Sequence, residues 1–510
     1  MSFDLSRRRS GVVVHLTSLP GPHGLGDLGD DARRFVDWLA ACGQSLWQVL
    51  PVNPVGPGHS PYQCPSAFAG SPWLVALAPL VRAGWLPAQA LARAPAFDPA
   101  RANYESAIPW RWQCLREAAA GFFARATAPE RARFQEWCGA EHDWLDPWCL
   151  YAALKDAHHG QPWWAWGAAL ARRDAPALAA ARTAQAGAMR VHAFVQWQFD
   201  EQQQALRSYA HSRGVCLMGD LPIFVAHDSA DVWARPDLVF MDERHELTVV
   251  AGVPPDGFGP DGQRWGNPLY RWDRMASDGY AWWVARLKRA LAQADLVRID
   301  HFRGFAGYWE VPASCPTARE GRWVPGPGPA LFEAFRAALG HELPVVAEDL
   351  GTITPDVIAL RDGFGLPGMR IVQEAFNGWG DGSAAANAQH PFLPHHHVPH
   401  ALAYSSTHDS DTARGWWDSA RAEVRAFAAE YLACSDAASI HWALIRATSQ
   451  SVAKLALFPL QDVLGLDSGH RMNRPGTADG NWRWRCTWPM LEPQVAASLA
   501  RITTAAGRAG

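Results

Sequence analysis

The stretch DLVRIDHFRG at 295–304 decides how this chain is read. A short apolar run ends in charged residues and a glycine, the pattern of a parallel strand buried on both faces whose tip leaves the sheet. Arg298 and Asp300 are two apart and project from one side of that strand, with Ile299 facing the other way. A guanidinium beside a carboxylate keeps it ionised, which suits a nucleophile or a charge stabiliser.

The same pattern recurs along the chain. Before it come GVVVHLTSLP at 11–20, SLWQVLPVNP at 45–54 and VCLMGDLPIFV at 215–225. After it come PVVAEDLG at 344–351, MRIVQEAF at 369–376, ALAYSSTHDSD at 401–411 and VAKLALFPLQDVLG at 452–465. Several are separated by amphipathic helical stretches such as DDARRFVDWLAACG at 30–43 and YAWWVARLKRALAQA at 280–294. Eight strands alternating with helices predict an α/β fold, a closed (β/α)8 TIM barrel with large helical and loop insertions after the early strands. An open doubly wound sheet is the alternative, since apolar runs do not reveal closure. No dinucleotide or P-loop glycine fingerprint occurs.

The expected organisation is one catalytic barrel over 1–510. Residues 55–214 form a mostly helical insertion, and 226–294 form a second insertion whose Gly/Pro-rich part, 250–270, reads as a loop. The chain has 510 residues, and Lys plus Arg number 46 against 50 for Asp plus Glu, a formal charge of −4 that disfavours wrapping nucleic acid. Nine cysteines without a CxxC pair predict reduced thiols and no zinc site. No run of 18 apolar residues argues for a membrane span, and the cytoplasm is the expected location. There are 27 Trp against 9 Tyr, and they serve either as core or as flat platforms for a ligand with apolar faces and polar edges, such as a pyranose. Composition does not choose between these.

Barrel enzymes work at the carboxyl ends of their strands, and Asp220, Asp300, Glu348 and Asp409 stand at four such ends. A carboxylic acid shielded from water near other carboxylates gains a raised pKa, the property a proton donor needs at neutral pH. Glu348 fits that description. Asp409 follows His408, which is either a donor to a sugar hydroxyl or a structural imidazole. Carboxylates on one rim match glycosidic-bond chemistry, in which one attacks the anomeric carbon, one protonates the leaving oxygen and a third supports the oxocarbenium-like transition state.

At these residues the sequence resembles the amylomaltase family of 4-alpha-glucanotransferases, glycoside hydrolase family 77, relatives of the alpha-amylases. The segments that carry the resemblance include LPVNPVGPGHSPYQCPSAFAG at 50–70, GDLPIFVAHDSADVW at 219–233 and GQRWGNPLY at 262–270. Others are VRIDHFRG at 297–304, AEDLG at 347–351, GMRIVQEAF at 368–376, THD at 407–409 and RMNRPGTADGNWRWR at 471–485. The resemblance implies Asp300 as nucleophile, Glu348 as general acid and base, and Asp409 as transition-state stabiliser. It implies Arg298 as the support of Asp300, and His301, His408 and Asn473 as contacts to the sugar; Asp220, an acid at a strand end, is expected to contact the substrate as well. Tyr62 is implied as an aromatic contact near the acceptor side, and GFGPDGQRWGNP at 257–268 as a loop closing over the cleft with Trp265 as its stacking residue. The implied partners are alpha-1,4-glucans and malto-oligosaccharides with glucose as acceptor, and no cofactor or metal is expected.

Three departures stand out. Ser410 in THDSD stands where the family commonly has Asn, Cys64 where it commonly has Ser, and HPFLPHHHVPH at 390–400 carries five histidines. The histidines lack ligand spacing with a carboxylate, so a solvated loop is expected rather than a metal site. The competing functions are a glucan hydrolase with the same three acids, a non-catalytic glucan-binding scaffold, and a phosphorylase, for which no phosphate cradle is present.

Overall fold

A computed structural model describes residues 3–255, 259–378, 380, 383–477 and 479–509. Its strands in chain order begin with β1 (Arg9–Val13), β2 (Leu46–Gln48), β3 (Cys216–Leu221), β4 (Val249–Val253), β5 (Gln263–Pro268) and β6 (Leu296–Ile299). They continue with β7 (Gly307–Pro312), β8 (Arg322–Pro325), β9 (Val345–Ala347), β10 (Gly368–Ile371), β11 (Ala401–Tyr404) and β12 (Leu455–Pro459). Eight of these close a parallel barrel in the order β1-β12-β11-β10-β9-β6-β3-β2. All eight apolar runs are barrel strands, and the open-sheet alternative is excluded by the β1–β12 pairing, which sets Arg9 beside Leu455 and Val13 beside Pro459.

The barrel strands are apolar on both faces. Inside, Val13, Leu46, Met218, Leu296, Val346, Met369, Leu402 and Leu457 fill the lumen. Outside, Val12, Trp47, Leu217 and Phe458 pack against surrounding helices, as do Val297, Ile299, Val345 and Ala347 on the opposite flank. Between β2 and β3 the chain is mainly helical, with helices Tyr104–Arg125, Ala128–Ala140 and His142–Ala157 followed by the long helix Ala175–Ser212. That last helix reaches back to the loop after β2. The amide of Gln196 donates to Gly70 O at 2.8 Å and accepts from Gly70 N–H at 2.8 Å, and Gln202 makes the same pair with Ala76 at 3.1 and 2.7 Å. Main-chain groups buried under a helix are thus satisfied by side-chain amides of matching geometry.

The expectation of a loop over 250–270 is corrected. That segment supplies β4 and β5 of a separate antiparallel sheet, ordered β5-β4-β7-β8. Its glycines signal close strand approach rather than irregular chain: a Cβ on Gly252 would overlap the carbonyl oxygen of Gln263 on the paired strand. Gly257 and Phe258, at the start of the expected closing loop, and Asp256 just before it lie outside the described residues. Among the described residues no helix is long and apolar enough to cross a membrane.

Candidate active site

The barrel ladder carries its register one residue beyond the strands. Asp300 N–H donates to Leu221 O at 3.0 Å, and Glu348 N–H donates to Ile299 O at 3.1 Å, so both acids stand at the same rim. They face a cleft of about 680 Å3 lined also by Tyr62, Trp265, Arg298, His301, Glu374, His408, Asp409 and Asn473. Asp220 does not line it. Paired in register with Arg298 across β3 and β6, Asp220 lies buried behind that residue.

Arg298 is the hub. Its Nη1 donates to both oxygens of Asp220, at 2.7 and 2.8 Å, and its Nη2 donates to Asp300 Oδ1 at 2.8 Å. Burial alone would lower the pKa of this guanidinium, but Asp220 and Asp300 outweigh it and raise the value. Tyr62 joins from above, donating its hydroxyl to Asp220 Oδ2 at 2.8 Å. The phenol has one proton, so its 2.9 Å contact with His408 is made by the imidazole Nε2–H. The two rings lie nearly parallel, 10° apart in plane, with Trp482 beside them.

Glu348 has different surroundings. Its Oε2 accepts the N–H of His301 at 2.6 Å and its Oε1 accepts the N–H of Leu350 at 3.0 Å. His301 points that N–H at the carboxyl by adopting a left-handed backbone, φ +49°, uncommon for a residue with a side chain. Burial raises the Glu348 pKa to about 8, with Asp300 adding to the rise and Arg298 opposing it. Burial also raises Asp300, with Arg298 in direct contact pulling it back. The proton at neutral pH therefore belongs on Glu348 and the charge on Asp300, whose Oδ1 meets the guanidinium. The imidazole of His301, driven down to about 3 by burial, is neutral and meets the indole of Trp265 edge-on at 4.7 Å.

Asp409 faces the two acids from the loop after β11. Its Oδ1 accepts from Asn473 Nδ2 at 2.6 Å, and its carbonyl accepts from Arg471 at 2.9 Å. Ser410 closes the turn that presents it, its Oγ accepting from Thr407 N–H at 3.1 Å, so the replacement of an amide by Ser leaves a hydrogen-bonded turn. Cys64 is fully buried, and burial pushes its thiol up to about 11, which makes it a small core residue rather than a nucleophile. In the histidine-rich segment, His395 meets the Tyr431 hydroxyl at 2.8 Å, and His396, His397 and His400 meet the carbonyls of Ala388, Phe392 and Gly365. Among the described residues the one trio with metal-ligand spacing is His211, Cys216 and Asp295, at the opposite end of β3 and β6, where Arg207 already holds Asp295 at 2.7 Å.

Sequence reasoning missed Glu374, on the helical turn after β10. It lines the cleft, and burial together with the charge of Asp409 raises its pKa to about 7. The available signal was the one that found Glu348: an acid just past an apolar run. Trp265 sits on β5, not on a free loop, and its neighbour Asn267 ties that strand to Gln63 at 3.1 Å and to Val225 O at 2.9 Å.

The chain is similar to known proteins over nearly its whole length. The family model described as 4-alpha-glucanotransferase, glycoside hydrolase family 77, matches residues 14–491. A 4-alpha-glucanotransferase of Thermus thermophilus is 47% identical over 508 residues, covering 98% of this chain and 99% of the relative. One from Synechocystis sp. is 45% identical over 506 residues, covering 99% of each. The solved amylomaltase of Streptococcus agalactiae, in complex with acarbose, superposes with a TM-score of 0.94 at 33% identity, covering 99% of this chain and 100% of that one. On these matches the chain belongs to the 4-alpha-glucanotransferases, the amylomaltases of glycoside hydrolase family 77.

Proposed function

We propose that this chain, as an enzyme of its family, transfers a segment of an alpha-1,4-glucan to the 4-hydroxyl of glucose or another glucan by double displacement with retention. We read residues 1–510 as one catalytic (β/α)8 barrel of the TIM type, with 55–214 and 226–294 as insertions. We place it in the cytoplasm, consistent with its free cysteines.

In the first step Asp300 attacks the anomeric carbon. Its Oδ2 has no partner among the described residues, while Oδ1 is held by Arg298. The bond to the glycosidic oxygen breaks as Glu348 gives that oxygen its proton, and the non-reducing fragment remains esterified to Asp300. In the second step the acceptor 4-hydroxyl gives its proton to the Glu348 carboxylate while its oxygen displaces Asp300. Asp409, steadied by Asn473, supports the positive charge that develops at the ring in both steps, and His301, His408 and Tyr62 contact the sugar. Trp265 stacks on the acceptor and sheds water from the intermediate.

The observation that carries this reading is the unlike setting of two acids at one rim: a guanidinium 2.8 Å from Asp300 Oδ1, and two backbone N–H groups on Glu348, whose pKa burial raises to about 8. Incubation with maltotriose tests it. Transfer yields glucose and a ladder of longer oligomers, whereas hydrolysis yields glucose and maltose alone.

A further inference from the structure

Of the described tryptophans only Trp164 and Trp323 are exposed, and Trp323 lines the active-site cleft. It is 41% exposed on β8, at the edge of the antiparallel sheet that also carries Trp265 on β5. A large indole left open to water inside a cleft is held there by construction. The guanidinium of Arg303 lies 3.8 Å from the ring centroid, and Trp309 meets the ring from β7 at 5.2 Å and 68°. Arg303 is itself buried and fixed, donating to Gly307 O at 3.3 Å and to Thr352 O. Gly321 has no side chain for a reason, since a Cβ there would overlap the indole of Trp309. The Trp323 indole N–H has no partner among the described residues, which leaves the ring with a flat apolar surface and one free donor at its edge.

Position gives the surface its meaning. Thr352, which accepts from Arg303, follows Glu348 by four residues in the loop after β9, and both line the cleft. Glu348 protonates the leaving oxygen, so its flank holds the leaving group and then the acceptor. Asp409 and Asn473 hold the other side of the reacting sugar.

We propose that Trp323 is a stacking platform for a glucose unit of the acceptor glucan beyond the one served by Trp265, and that it makes the enzyme prefer oligomeric over monomeric acceptors. The proposal rests on the transfer reaction above. A pyranose presents axial C–H groups to the ring and hydroxyls to its edge, which is the chemistry this surface offers.

Labelled alpha-glucosyl fluoride as donor leaves the acceptor side empty, so kcat/KM for glucose and for maltotetraose can be compared as acceptors. Trp323→Ala and Trp323→Gln should lower the maltotetraose-to-glucose ratio about five-fold or more, and Trp323→Phe should restore most of it. An unchanged ratio in both the Ala and Gln variants overturns the proposal, as does a Phe variant no better than Gln. If the wild-type chain passes label to neither acceptor, the transfer reading itself fails, whatever Trp323 does.

Discussion

Nη2 of Arg298 stands 2.8 Å from Oδ1 of Asp300, while Nη1 of the same guanidinium holds both oxygens of Asp220. One planar cation therefore fixes Asp300, the proposed nucleophile, from a partner, Asp220, that is itself buried. Lysine offers a point charge without the fork. Arg298→Lys should leave a folded protein whose kcat falls about 10- to 100-fold, because the ammonium cannot serve both acids in register. Arg298→Ala should in addition lower stability by about 3–5 kcal/mol, since Asp220 then keeps a buried and unpaired charge. Steady-state kinetics and urea denaturation separate the two effects.

The pH profile follows from Glu348. Its acid form is the active one in the first step, and that form is lost as pH rises through about 8. For maltotriose, kcat/KM should fall on the alkaline side with an apparent midpoint near that value. With alpha-glucosyl fluoride, whose leaving group needs no proton, formation of the intermediate should lose that limb. An identical alkaline fall with both donors would assign it to another group.

Glu374 makes a separate prediction about stability. Its pKa is raised to about 7 in the folded protein, so the fold binds that proton more tightly than the unfolded chain does. The associated stability is present at low pH and drains away as pH rises from the ordinary carboxylate range, about 4.3, through about 7. Glu374→Gln removes this dependence. From urea denaturation, its unfolding free energy should lie close to that of the wild type at pH 4 and exceed it at pH 8 by on the order of 1–3 kcal/mol. Equal differences at both pH values would contradict the burial of the charge.

Trp265 stands edge-on to His301 at 4.7 Å on the cleft wall. Trp265→Ala should lower transfer more than hydrolysis of the same donor, about five-fold in their ratio, because a wall that favours sugar over water is lost. Glucose release and oligomer growth from maltotriose, measured together, give the ratio directly.

Much of this was legible because parallel strands buried on both faces spell continuous apolar runs, and acids at their ends mark a catalytic rim. Asp300, Glu348 and Asp409 were readable for that reason. Closure was not, since nothing in GVVVHL or LALFP announces that β1 pairs with β12. The 250–270 segment misled because Gly and Pro occur both in loops and in strands that a neighbouring backbone approaches closely, and only the partner strand tells them apart. Glu374 offered the same signal, an acid just past an apolar run, but what sets it apart, its burial and the charge of Asp409 35 residues later in the sequence, comes only with the fold. The tryptophan excess is mostly core. Trp47, Trp163, Trp197, Trp233 and Trp283 are fully buried, and Trp265 and Trp323 are set apart by where the sheet places them.

The central claim is a glucosyl ester on Asp300. In Glu348→Gln the second step lacks its base, so alpha-glucosyl fluoride should release fluoride and leave the sugar on the protein. Peptide mass spectrometry should then find one glucosyl unit on the segment containing Asp300, and none when Asp300→Asn is added. A glucosyl unit on a different residue, or fluoride release with no adduct in the single variant, would contradict the account.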